Sequence, residues 1–288
     1  MTLKEYLLQK HTTATVKNYL FEITHLLNFL GVARAEQATY QDLQEYLQYL
    51  RSRYDNPNTI TRILQAIKQY YYYLNAIEKR SDHPCRYIRL RDRYDTEIQV
   101  QDLLSEEELN WLLTRKERYA VLKNRNQVVM SLLVHQALLL KEMAQLEVGD
   151  IDLSVATIYI RPTHKTNART LNLVPQQILL LQEYLSITRP QLLKTPSEKL
   201  ILTKRGTAEK GEGIHYLCET YRHLFPTKRL TPTTIRQSVI ANLLKQGKDL
   251  RVVQVFAGHK KVSATERYRQ NNLEALQQAI QKFHPLKE

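Results

Sequence analysis

Apolar positions recur every three or four residues through most of the chain, the period of helices that bury one face. In the first third, Tyr19, Ile23, Leu26, Leu27 and Leu30 form one stripe, and Gly31 stops it. Thr39 is placed to cap a second helix, with Asp42 in its first turn and Leu43, Tyr46, Leu47 and Leu50 along one side. Asn56-Pro57-Asn58 reads as a turn before a third stripe of Ile60, Ile63, Leu64, Ile67, Tyr70, Tyr71 and Leu74. Residues 70–73 are all tyrosine; helical spacing sends about half of these rings to the core rather than to bases.

The pattern changes after His83-Pro84. Residues 87–101 are charged and aperiodic, and five arginines lie between Arg80 and Arg93. Ser105 and Glu108 then form a capping box that opens a helix. Residues 126–146 read as a strongly apolar helix pair. Residues 156–160 and 170–174 are short β-branched runs around His164-Lys165-Thr166-Asn167-Ala168-Arg169, which predicts a hairpin. Residues 177–187 and 213–224 are helical, with a basic, loop-rich stretch between them. Ile235, Val239, Ile240, Leu243 and Leu244 line a further helix, Asp249 caps the next, and Ser263 caps the one bearing Tyr268. Beyond it Leu273, Leu276, Ile280 and Phe283 form an amphipathic tail. The expected fold is mainly α with one small antiparallel sheet.

Composition narrows the class. Only 7 glycines and 9 prolines in 288 residues suit a helix-rich chain. No apolar window is long enough for a membrane span, and the first residues lack the run and cleavage site of a secretory leader. Cys85 and Cys218 stand in no metal spacing and read as free thiols of a reducing, cytoplasmic protein. The net charge of +13 is unevenly spread: residues 96–199 hold 12 basic and 12 acidic side chains, whereas residues 200–270 hold 14 against 5. That excess points to a polyanionic partner at the C-terminal part.

The same part carries a constellation: Arg236 on a helix that ends near Gly247, then Gly258-His259, then Tyr268 nine residues after the histidine. In that order and spacing it resembles the tyrosine recombinase (phage integrase) family. Further upstream, Glu142, Leu146 and Asp150-Ile151-Asp152 match the segment in which the family places its first catalytic arginine, and Lys165 matches its hairpin lysine. His164 and Arg169 are alternatives for that lysine if the register shifts by one or two. Two positions depart: Leu139 stands where the family has the first arginine, and Thr233 where it has the first histidine. Lys141 and Arg125 are the nearby cations able to substitute for the missing arginine.

The resemblance implies a helical core-binding (SAM-like) domain over 1–86, a linker over 87–101 and a catalytic domain with a C-terminal tail over 102–288. It implies site-specific recombination or integration of double-stranded DNA through a 3′-phosphotyrosyl intermediate. Tyr268 would be the nucleophile, Arg236 the phosphate clamp, Lys165 the general acid and His259 the supporting group. Lys17, Thr59, Arg62, Lys68, Thr233 and Arg169 are the implied DNA contacts. The implied assembly is a tetramer on DNA, associated with the nucleoid, with no cofactor, metal, membrane or small-molecule substrate. The rival expectation is a DNA-binding accessory protein on the same fold, weak or inactive because of Leu139 and Thr233.

Overall fold

The computed structural model describes residues 1–90, 100–114, 117 and 120–269. Most of the expected linker, and the tail residues Leu273, Leu276, Ile280 and Phe283, lie outside the described residues. The chain forms two compact units, Met1–Thr96 and Glu97–Glu288. No described helix is long and apolar enough to cross a membrane.

Among the described residues the first unit is helical: α1 (Leu3–Leu8), α2 (Thr13–Leu30), α3 (Val32–Glu36), α4 (Tyr40–Arg53) and α5 (Pro57–Ala76). The stripes meet in one core that includes Leu26, Tyr46, Ile63, Ile67, Tyr71 and Leu74, with α2 packed along α5. Thr39 caps α4 in a reciprocal capping box with Asp42. The expected turn at 56–58 is the start of α5: the Asn56 side chain accepts from the Asn58 N–H, and Pro57 occupies the first turn, where its missing N–H costs nothing. The tyrosine run divides as its spacing dictates. Tyr70 and Tyr71 are buried and Tyr72 is exposed. The Tyr71 hydroxyl donates to the Ala35 carbonyl at 3.0 Å, so its burial leaves no orphaned group.

Two of the implied DNA contacts in this unit have work inside the fold. The Lys68 ammonium donates to the carbonyls of Arg86 (3.2 Å) and Ile88 (2.8 Å), tying down the segment after α5. Arg62 pairs with Glu22 at 2.8 Å and neutralises a buried carboxylate. Lys17 is exposed, with no partner among the described residues, and Thr59 is half-buried in the first turn of α5.

The second unit runs α6 (Glu106–Thr114), α7 (Ala120–Gln136), α8 (Leu140–Gln145), strands β1 (Ile151–Asp152), β2 (Thr157–Ile160) and β3 (Arg169–Asn172), then α9 (Pro175–Glu183). Next come α10 (Arg189–Leu192), α11 (Glu212–Thr220), α12 (Pro232–Lys245), α13 (Leu250–Ala257) and α14 (Ser263–Arg269). The sheet is antiparallel in the order β1-β2-β3, with Ile158 opposite Leu171 and Ile160 opposite Arg169. Helices α7 and α12 cross the centre, joining Val129, Leu133, Ile235 and Val239 in one core. Ser238, fully buried on α12, accepts the Leu104 N–H at 2.8 Å and so ties the entry of the unit to its middle. The apolar pair expected over 126–146 breaks at Ala137, whose φ of 50° lies in the left-handed region.

Candidate active site

Three chain reversals place the candidate residues. The first is the break between α7 and α8. Leu139 sits at the start of α8, and Glu142 in its first turn turns back so that its carboxylate accepts the Leu139 N–H at 2.8 Å. Glu142 is 1 % exposed, and its oxygens gather further donors: Thr166 Oγ1 at 2.8 Å, and Arg169 Nη1 and Nη2 at 2.7 and 3.2 Å. Arg236 Nη1 stands 3.8 Å away. Burial alone would raise the Glu142 pKa; the Arg169 hydrogen bond and charge, with the Leu139 N–H and Thr166 hydroxyl, outweigh it and hold the group below the usual carboxylate range.

The second reversal is the β2–β3 hairpin, which carries Lys165 at its turn. Thr163 stabilises that turn by accepting the N–H groups of Lys165 and Thr166, each at 3.1 Å. Thr166, 2 % exposed, forms a bridge with His259, and the Asn167 N–H donates to the Gly258 carbonyl at 2.9 Å. The hairpin is therefore clipped to the Gly-His pair, while the Lys165 side chain stays exposed and makes no hydrogen bond among the described residues.

The third reversal is the end of α13. Gly258 terminates it at φ 70°, a left-handed conformation that suits glycine. A Cβ there would also lie 2.5 Å from Arg169 Nη1, so the guanidinium packs directly on the Gly258 backbone. The chain then presents His259, whose Nδ1 hydrogen-bonds Thr265 Oγ1 at 2.8 Å. Its ring lies nearly parallel to that of Tyr268, with centroids 6.2 Å apart. Burial, with the nearby Arg236 and Arg169 charges, pushes the His259 pKa down to about 4, so the imidazole is neutral at physiological pH. Tyr268 packs on Ile240, Val253 and Ala257. That burial raises its pKa, against the pull of Arg236 and Arg267.

Arg236 lies in the second turn of α12 rather than the first, because the helix begins at Pro232. It is 4 % exposed and donates to the carbonyls of Ala137 and Ala257, joining the α7–α8 break to the end of α13. Burial lowers its pKa, with Glu142 opposing, yet a guanidinium stays charged. Beside the histidine opens a cleft of about 630 Å³ lined by Lys165, His259, Lys260, Lys261, Glu266 and Arg267 among others. Four cations against one carboxylate suit a polyanion there.

The folded chain thus brings Lys165, Arg236, His259 and Tyr268 to one region. Other expectations need correction. Arg169 lies inside the fold rather than on its surface: it is 6 % exposed and paired with Glu142, so it can meet only a phosphate that reaches the buried part of the site. Arg125 has no reach toward the site, because it is buried and committed to Glu209 (2.8 Å), the Leu202 carbonyl and Asn126. Lys141 is exposed on α8, and Thr233 is exposed on the first turn of α12. On the sequence Glu142 serves only to fix register, and Thr166 and Thr265 carry no mark at all. The one available signal is an acidic residue three positions into a helix start, and that reads equally well as an ordinary cap.

Residues 102–275 match the model of the phage integrase family, and residues 3–78 match that of the phage integrase N-terminal SAM-like domain. Among curated proteins, the tyrosine recombinase XerC of Herpetosiphon aurantiacus is 28 % identical over 268 residues, 89 % of this chain and 84 % of that protein. XerC of Anoxybacillus flavithermus is 26 % identical over 283 residues, 96 % of this chain and 92 % of that one. Among solved structures, XerH recombinase bound to its difH substrate in a pre-cleavage complex superposes with a TM-score of 0.72 at 20 % identity, covering 91 % of this chain and 78 % of that one. A lambda integrase dimer bound to a core site gives 0.68 at 14 % identity, covering 93 % and 76 %. With both units matched in order and the larger match covering more than half of its length, the chain belongs to the phage integrase family, the tyrosine-type site-specific DNA recombinases.

Proposed function

We propose that this chain cuts and rejoins double-stranded DNA at specific sites, with Tyr268 as nucleophile. The observation that carries this reading is a cationic cleft lined by Lys165 and His259, with the Tyr268 ring 6.2 Å from that of His259 and the buried Arg236 among the charges acting on both rings. The Tyr268 oxygen attacks the scissile phosphorus, a P–O(Tyr) bond forms, and the P–O5′ bond breaks. Lys165, exposed at the hairpin turn, gives its proton to the departing 5′-oxygen. The phenolic proton passes to a base; the neutral imidazole of His259, whose ring lies 6.2 Å from that of Tyr268, is the group we assign to support that transfer. Arg236 stabilises the charge that develops on the non-bridging oxygens. The exchange of one phosphodiester for another conserves the bond energy for rejoining and needs no nucleotide.

In this reading residues 1–86 clamp the duplex through phosphates, with Lys17, Thr59 and, in part, Arg62 in contact, and 87–101 join that clamp to the catalytic unit over 102–288. Thr233 offers its hydroxyl to a phosphate oxygen. Four subunits assemble on two DNA sites, as a cytoplasmic, nucleoid-associated complex. XerC relatives that match this chain over most of its length support recombination as the activity.

Leu139 and Thr233 favour a second reading, a DNA-binding accessory protein without cleavage. Losing one preorganised donor costs ~3–4 kcal/mol of transition-state stabilisation. A single assay separates the two. A duplex sequence is selected from a random pool by binding, nicked beside the scissile position, and incubated with the protein. The recombinase forms a covalent adduct on a denaturing gel, lost in Tyr268→Phe; the accessory protein shifts the duplex and forms none.

A further inference from the structure

The buried part of the site holds two guanidinium groups and one carboxylate between them. Arg169 takes both oxygens of Glu142, and Arg236 is left at 3.8 Å with backbone carbonyls as its hydrogen-bond partners. Arg169 Nε is buried and makes no hydrogen bond among the described residues. A buried charged donor without an acceptor is unfavourable, and so is an excess buried positive charge. A second anion that reached this pair would relieve both.

The location of Arg169 matters as much as its charge. Its guanidinium packs on Gly258, the residue before His259, so it stands inside the motif region. The Glu142 carboxylate that it grips also accepts the Leu139 N–H, so Arg169 meets the α8 start where the family's first arginine would emanate. Arg169 at 6 % exposed is about as buried as Arg236 at 4 %, so accessibility does not separate the two.

We propose that Arg169 supplies, from β3, the guanidinium that Leu139 does not supply from the start of α8, and that Arg169 and Arg236 together hold the non-bridging oxygens of the scissile phosphate. This rests on the reading that the chain cuts DNA. It makes the Leu139 departure a relocation of charge rather than a loss. Glu142 then serves as the stand-in anion of the DNA-free site, keeping the two cations close until the phosphate arrives.

The test uses the full chain and two versions of the selected nicked duplex: one ordinary, and one with a neutral methylphosphonate at the scissile position. The methylphosphonate removes the charge that the second guanidinium balances. Arg169→Ala is expected to cut adduct formation on ordinary DNA by ~100- to 1000-fold, and to stay within ~10-fold of the unaltered protein on methylphosphonate DNA. Leu139→Arg with Arg169→Ala is expected to recover at least ~10-fold on ordinary DNA, and Leu139→Arg alone to change the rate by less than ~10-fold, because its slot is already served. Equal loss on both DNAs would make Arg169 merely structural and overturn the proposal, as would no loss at all. If Arg169→Ala no longer binds DNA, Leu139→Arg alone decides: a gain of ~100-fold would show that no second guanidinium was present. No adduct from the unaltered protein on either DNA sinks the cleavage reading, and this proposal with it; adducts that ignore these substitutions sink the proposal alone.

Discussion

His259 shows how one residue's surroundings set its chemistry. An exposed histidine titrates near neutrality, but burial beside Arg236 and Arg169 disfavours the charged ring, and its pKa falls to about 4. Its ring signal, followed by NMR against pH and assigned with His259→Gln, is expected to move with a midpoint about 4; a midpoint near the ordinary value of 6.5 would show that the ring is not buried beside the arginines. The sign for stability follows. In the unfolded chain the ring takes up a proton as pH falls through 6.5, whereas in the folded chain it waits until about 4. Its contribution is therefore present above 6.5 and is lost as pH falls between those values. At this scale Arg236, Gly258, His259 and Tyr268 were legible, because they sit close together at fixed spacing. The Glu142–Arg169 pair was not: its partners are 27 residues apart and meet only when β3 packs beside α8. Nothing local distinguishes Arg169 from a solvated turn cation.

At the scale of elements, the site depends on the hairpin staying clipped to the end of α13. Gly258 makes that contact possible twice over, by its positive φ and by leaving room for Arg169 Nη1. Gly258→Ala is expected to cost about 1–2 kcal/mol from left-handed strain alone, and to push Arg169 off Glu142. A lower thermal midpoint together with loss of adduct formation is the outcome to look for; an unchanged midpoint would mean that the chain end adapts freely. The long amphipathic helices α2, α4, α5 and α12 were readable from their apolar stripes, and α7 from its apolar run. Smaller features were not. The two-residue strand β1 is too short to show a period, the π-helical turn Tyr184–Thr188 continues the apolar spacing of α9, and the break at Ala137 carries no glycine or proline to announce it.

For the molecule as a whole, charge and fold say different things about which cations meet DNA. Sequence alone ranks Lys17, Arg62 and Lys68 together, but the folded first unit gives Lys68 a structural task and leaves Lys17 exposed. Lys17→Ala is expected to weaken DNA binding with little change in thermal stability and to reduce the slope of log K against log salt by about 0.9. Lys68→Ala is expected to lower the stability of the first unit, because the carbonyls of Arg86 and Ile88 lose their donor. Salt titrations and melting curves of the two variants, side by side, check this; equal salt slopes and equal melting would contradict it. The two-unit architecture itself was visible in the shift from apolar stripes to the charged stretch after Pro84, since a segment with no apolar face has nothing to bury.

The most direct test of DNA cleavage by this chain is the chemical identity of the linkage. The protein is trapped on a nicked duplex, the adduct is digested with protease and nuclease, and the remaining peptide is sequenced by mass spectrometry. A nucleotide 3′-phosphate on the oxygen of Tyr268 is the expected result. Attachment at any other residue, or DNA bound tightly with no covalent link, would contradict it.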